Sequence, residues 1–225
     1  VPFTISSLEP QGFDCASAVP PVGVGSLSCD DSIDPTPNHI EWVDGGTPVS
    51  SLDLEFSAPI AGVNPGDAPV EVTKLTHTNV VIPQAFAYSI DILNIIRVTD
   101  EDGPVIVLTD PNTVNIDFTE TLNSAPCPPP NPEASVCDDF FTFEAGDLAP
   151  VAFSSDGVDY LLIFGLVAGA GTTVIGDQVF TAENGTSELS VTAQIVAVAV
   201  PEPMSIALMG LGLLGMGFTT RSRKI

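Results

Sequence analysis

Hydrophobic and polar residues alternate with a period of two through much of this chain. In VNIDFTETL (114–122), Val114, Ile116 and Phe118 interleave with Asn115, Asp117 and Thr119, the pattern of a strand with one buried and one wet face. IDILNIIRV, PVIVLT, DYLLIFGLV and ELSVTAQIVAVAV are short runs rich in β-branched residues, which crowd a helix but suit a pleated surface. Turn signals separate these runs: Asn64-Pro65-Gly66-Asp67, Asp100-Glu101-Asp102-Gly103, Asp110-Pro111-Asn112, Ser155-Asp156-Gly157 and Glu183-Asn184-Gly185. The proline inside NVVIPQAF marks a strand end or a sheet edge. No segment before Val200 keeps a helical period. Many short strands with frequent turns predict an all-β fold, an antiparallel β-sandwich or jelly-roll-like domain over residues 1–199.

The stretch SAPCPPPNPEASVC (124–137) has five prolines and is excluded from a sheet interior, because proline donates no ladder hydrogen bond. It is expected as a surface excursion stapled by its own cysteines. The four cysteines fall into two close pairs, Cys15 with Cys29 and Cys127 with Cys137. Four cysteines allow three connectivities, of which proximity favours the two local bridges. Neither pair has the Cys-x-x-Cys spacing of a zinc or redox site, and disulfides imply an oxidising compartment.

Charge narrows the partners. Of 29 acidic residues the last is Glu202, and only Lys74 and Arg97 are basic before that point, a balance of −27 over residues 1–203. Nucleic acid is excluded, since phosphate binding needs a cationic face. Such a body attracts cations and repels its own copies. Residues 1–10 have neither a cationic start nor a long apolar run, so no signal peptide is read there.

The chain then changes character. Met204 to Thr220 contains no charged residue; as a helix these residues would reach roughly 25 Å, just short of a bilayer's hydrocarbon core. Its glycines suit close packing in a membrane better than a water-exposed helix. Arg221, Arg223 and Lys224 follow as a cytoplasmic anchor, placing the body on the other side. The order Pro201-Glu202-Pro203, apolar helix 204–220, basic end resembles the PEP-CTERM sorting signal of Gram-negative bacteria that make extracellular polysaccharide. The resemblance implies export through the inner membrane, recognition of the Pro-Glu-Pro stretch by the transpeptidase exosortase, and release or anchoring at the cell surface.

Within the body, HIEWVDGGTPVSSLDLEFS (39–57) and VTKLTHTNVVIP (72–83) resemble the THxN family of PEP-CTERM proteins, with the tetrad as Thr76-His77-Thr78-Asn79 and the upstream elements as Trp42 and Ser50-Ser51-Leu52. DGVDYLLIFGLV and VFTAENGTSELSVTAQI resemble its closing strands, whereas Val43 replaces the glycine after Trp42. The resemblance covers residues 39–200 in patches and implies an exported surface or matrix protein without an established enzymatic activity.

A strand through the tetrad sets His77 and Asn79 on one face and Thr76 and Thr78 on the other. His77 and Asn79 then either fix a loop by hydrogen bonding or contact a metal or sugar. No Gly-x-Ser-x-Gly, His-Glu-x-x-His or P-loop string is present, and no nucleophile is placed beside either histidine, so no enzyme is expected. The acidic clusters Asp30-Asp31-x-x-Asp34, Asp100-Glu101-Asp102, Asp138-Asp139 and Asp156-x-x-Asp159 offer hard oxygen ligands; calcium is the candidate cofactor, above all at Asp30, Asp31, Asp34, Asp100 and Asp102. The expected function is an exported, non-enzymatic structural protein of the surface or extracellular matrix that self-associates into a filament or sheet homopolymer, with VPFTISSL as a donated strand. The alternative is a calcium-dependent module binding biofilm polysaccharide.

Overall fold

The computed structural model describes residues 2–23, 26–29, 38–44, 47–81, 86–101, 105–107, 112–144 and 146–198. Among them lie fifteen strands, numbered in chain order, and no helix. One sheet has the order β13 (Thr172–Ile175), β14 (Gln178–Thr181), β10 (Asp139–Phe143), β9 (Asn112–Glu120), β7 (Phe86–Asp100), β1 (Phe3–Gly23), β5 (Ile60–Val63), with β8 (Val105–Val107) also on β7. The other runs β11 (Val151–Ser155), β12 (Val158–Ala168), β15 (Gly185–Ala197), β6 (Val70–Asn79), β4 (Thr47–Phe56), β3 (His39–Asp44), β2 (Ser26–Ser28). Every strand pair is antiparallel. The chain crosses repeatedly from one sheet to the other, and inward side chains of both fill the space between them: the fold is the antiparallel sandwich that the alternation predicts.

Two clusters make the core. One joins Trp42, Leu52, Leu54 and Leu75 of the second sheet to Tyr88, Ile90, Ile116, Phe118 and Phe141 of the first. The other joins Phe3, Ile5 and Val98 to Phe153, Tyr160, Leu162 and Ile195. In β9 the alternation holds residue by residue: Ile116 and Phe118 are buried while Asp117 is exposed. The Ser155-Asp156-Gly157 signal is a tight hairpin between β11 and β12, with Asp156 and Gly157 both at positive φ (51° and 76°), as a two-residue turn matching strand twist requires.

β1 departs from expectation. Instead of a strand free to be donated, Phe3 and Ile5 pair with β5 and β7 within their own sheet and are buried in the core. The ladder with β7 continues to Gly23, shifting register between Leu8 and Gly12. Both disulfides are the local ones, Cys15–Cys29 and Cys127–Cys137. The expected helix 204–220 lies outside the described residues; among those described no helix is long and apolar enough to cross a membrane.

Candidate functional site

At one end of the sandwich the inward-facing positions of several strands continue past the hydrophobic residues and become polar. β9 runs Ile116, Phe118, then Glu120; β10 begins with Asp139 two residues before Phe141; β6 passes from Leu75 to His77 and Asn79. All of these side chains are buried, and so are Thr181 at the end of β14 and Glu183 just beyond it. Antiparallel pairing sets Asp139 opposite Thr181 and puts Phe141 beside Phe118, so the three carboxyl groups meet. Glu120, Asp139 and Glu183 each present an oxygen within 4.8 Å of the others.

Neighbouring side chains brace this centre. Asn79 Nδ2 donates to Asp139 Oδ2 at 2.9 Å, and the Thr121 backbone N–H donates to Asp139 Oδ1 at 2.7 Å. His77 Nδ1 lies 2.9 Å from Thr181 Oγ1. Its imidazole packs edge-on to Phe118 and Phe141 and tilted against Trp42, with centroids 5.2 to 5.5 Å apart. Trp42 in turn lies 4.6 Å from Phe118 and 5.4 Å from Tyr88. The oxygens of Glu120 and Glu183 have no hydrogen bond of ordinary length and angle, nor has Asn79 Oδ1.

Electrostatically the centre is an acidic group under apolar cover. Burial raises all three carboxyls above the usual carboxylate range, Glu120 furthest. The Asp139 charge raises Glu120 and Glu183 further, while the Trp42 indole favours ionised Glu120. Asp139 rises least, because against its burial the Thr121 amide, then the Glu120 carboxyl, Asn79 and the Glu183 carboxyl stabilise its charge. Burial pushes His77 down to about 3, so this imidazole is neutral and supplies no counter-charge. Burial, and then the charges of Glu120 and Asp139, lift the Tyr88 phenol. Such a constellation can hold shared protons or a hard cation.

Beyond β15 the polypeptide continues into the Pro-Glu-Pro stretch, the apolar run and the basic end. The family model described as the PEP-CTERM protein-sorting motif matches residues 199–224. The chain carries a PEP-CTERM sorting motif. None of the curated proteins compared with the chain matches it. The PEP-CTERM motif marks an exported protein, sorted by exosortase to the cell surface. Pro201, Glu202, Pro203, Arg221, Arg223 and Lys224 all fall inside the match and outside the described residues.

In the body of this PEP-CTERM protein the tetrad takes the predicted parity. His77 and Asn79 face inward and join the carboxylate end, while Thr78 is exposed and Thr76 half-buried. The acidic residues of these clusters that lie among the described residues make local contacts of their own. Asp100 is buried and accepts a hydrogen bond from Ser155 Oγ at 2.6 Å; Asp30, Asp31, Asp34 and Asp102 lie outside the described residues. Asp138 closes the proline excursion, accepting from the Glu133 amide at 2.7 Å and Ser135 Oγ at 2.5 Å. Asp159 accepts from Ser154 Oγ at 2.6 Å. Sequence reasoning singles out Asp139 only as half of an acidic pair, takes Glu183 as the first residue of a turn and passes over Glu120. The available signal was the parity of Phe118 and Phe141, carried one step further into polar residues.

Proposed function

We propose that this is a non-enzymatic structural protein of the cell surface or extracellular matrix of a Gram-negative bacterium, delivered through the inner membrane and handled there by exosortase. The observation that carries the reading is the join between the two parts of the chain: the sorting motif begins at residue 199, directly after the last strand of the sandwich at Ala197. The folded sandwich is therefore the cargo. Two disulfides fit an oxidising destination, and a body this acidic fits a place where cations and polysaccharide set the ionic surroundings. Self-association into a filament or sheet would use surfaces other than VPFTISSL, whose residues Phe3 and Ile5 are core. Among the described residues β13, β5, β11 and β2 end their sheets and β8 pairs on one side only, and each is three to five residues long, which blunts edge pairing and leaves room for only short docking contacts.

The test is fractionation of cells producing the unaltered chain or a variant with Pro201, Glu202 and Pro203 all replaced by alanine, followed by intact mass and electron microscopy of the recovered protein. The unaltered chain should appear at the surface or in the medium, in ordered filaments or sheets, and the variant should stay with the inner membrane. Identical fractionation of the two would sink the sorting step. Dispersed particles, together with a matrix unchanged by deleting the protein, would sink the structural role.

A further inference from the structure

We propose that Glu120, Asp139, Glu183 and Asn79 form a buried binding site for one divalent, oxygen-seeking cation, with calcium the best fit. Size is the first argument. Calcium holds oxygens at about 2.3–2.6 Å, so opposite ligands in its shell stand roughly 4.6–5.2 Å apart, and it accepts a shell of protein oxygens where magnesium keeps several of its waters. The three carboxylates present oxygens that all lie within 4.8 Å of one another, a separation that one calcium ion spans.

The second argument is Asn79. Asn79 is 2% exposed, its Nδ2 donates to Asp139 at 2.9 Å and at 3.4 Å to the Ala182 carbonyl, and its Oδ1 has no hydrogen-bond partner. A buried amide oxygen in that state is costly. A half-turn of the amide exchanges Nδ2 and Oδ1 in nearly the same volume, turning a donor to Asp139 into a fourth oxygen ligand. The Glu120 and Glu183 oxygens are likewise without ordinary hydrogen bonds, and one ion would satisfy both carboxylates together with Asn79.

Charge balance is the third. None of the groups that perturb these carboxyls among the described residues is a cation, and grouped buried carboxylates are expensive without a positive partner. A divalent ion supplies that partner with the ligand chemistry already in place. The tetrad thereby gains a role: Asn79 is a ligand, and His77 holds Thr181 beside it.

The chain contains one tryptophan, Trp42, and it lies at this site, which gives a direct probe. Full-length protein stripped with EDTA and dialysed is titrated with calcium chloride, magnesium chloride or terbium chloride, with tryptophan excitation and thermal melting followed. Calcium should saturate the Trp42 signal at one ion per chain by elemental analysis, raise the melting temperature by about 5 °C or more when well above its dissociation constant, and outcompete magnesium at least tenfold. Terbium should show emission sensitised through Trp42. Glu120→Gln/Glu183→Gln, whose amides mimic protonated acids, should melt in EDTA no lower than the unaltered chain and lose the calcium response. Asp156→Asn/Asp159→Asn, on the surface, should keep it. Absence of stoichiometric calcium in the unaltered chain, or an equal response in the Glu120→Gln/Glu183→Gln variant, overturns the proposal. Should that variant not fold, elemental analysis and terbium sensitisation of the unaltered chain decide alone.

Discussion

Replacing Cys127 and Cys137 together by alanine should cost this protein a large fraction of its stability. The bridge closes a segment with a sequence separation of 10. Chain-entropy reasoning for a closed loop of that length gives about 2.7 kcal/mol at 25 °C. The folded side adds little strain relief to offset this, because the excursion is already ordered by its own polar contacts: Asp138 receives the Glu133 amide and Ser135, its own amide donates to Asn131 Oδ1 at 2.6 Å, and Thr121 Oγ1 donates to the Cys137 carbonyl at 2.8 Å. Cys137 is fully buried, so losing its sulfur also leaves a small void. The assay is urea unfolding under oxidising conditions, comparing free energies extrapolated to water, because removing a cross-link expands the unfolded chain and raises the slope. A loss below about 0.5 kcal/mol would refute the reasoning and show that the Asp138 contacts alone define the loop. The Cys15–Cys29 bridge, with a separation of 14, should be worth about 3 kcal/mol by the same argument. Reducing both would then remove roughly 6 kcal/mol, comparable to the whole stability of an ordinary domain, so the sandwich should melt in strong reductant at temperatures where the oxidised protein holds.

Three further outcomes are expected. Gly169→Ala should destabilise by about 1–3 kcal/mol, because the added Cβ would lie 2.8 Å from the Glu188 carbonyl oxygen; Gly165→Ala, which meets only the Thr192 hydroxyl at 3.2 Å, should cost clearly less in the same thermal melts. Ser155→Ala removes the hydroxyl that donates to buried Asp100 and should cost about 1–3 kcal/mol by urea unfolding, whereas a neutral result would mean that Asp100's other contacts suffice. For His39, burial lowers the pKa but hydrogen bonds and charge from Asp53 and Glu41 outweigh it, leaving the imidazole raised. Its contribution is therefore present below pH 6.5 and lost as pH rises through the folded value. The imidazole is half exposed, so Asp53→Asn should reduce the stability difference between pH 5.5 and 8 by less than about 1 kcal/mol, and no change at all would show that Asp53 does not act on His39.

Much of this architecture was legible because local pattern and tertiary burial agree. In β9 the alternation of Ile116, Asp117 and Phe118 is the alternation of inside and outside, and the parity of His77 and Asn79 came from strand geometry alone. β1 was not legible: Pro10, Pro20, Pro21 and Gly12 interrupt any simple period, and the ladder with β7 absorbs them through register shifts. Glu120 and Glu183 were missed for a related reason. An acidic residue at the end of a hydrophobic alternation reads as the point where a strand reaches water, yet here neighbouring strands and the tetrad cover it. Only the distance between chain-remote positions 120, 139 and 183 shows that three strand ends share one interior.

The position of β15 also has a mechanical meaning. It is a central strand, paired with β12 from Tyr160–Ala197 to Ala168–Leu189 on one side and with β6 on the other, and the sorting motif follows directly behind it. A pull applied at the end of β15 and directed along the strand loads the hydrogen bonds of both ladders in shear. The same pull on an outer strand such as β11 would load one ladder of five residue pairs. A molecule tethered by this end in flowing liquid would thus transmit drag into a strand held on both sides rather than into the rim of its sheet.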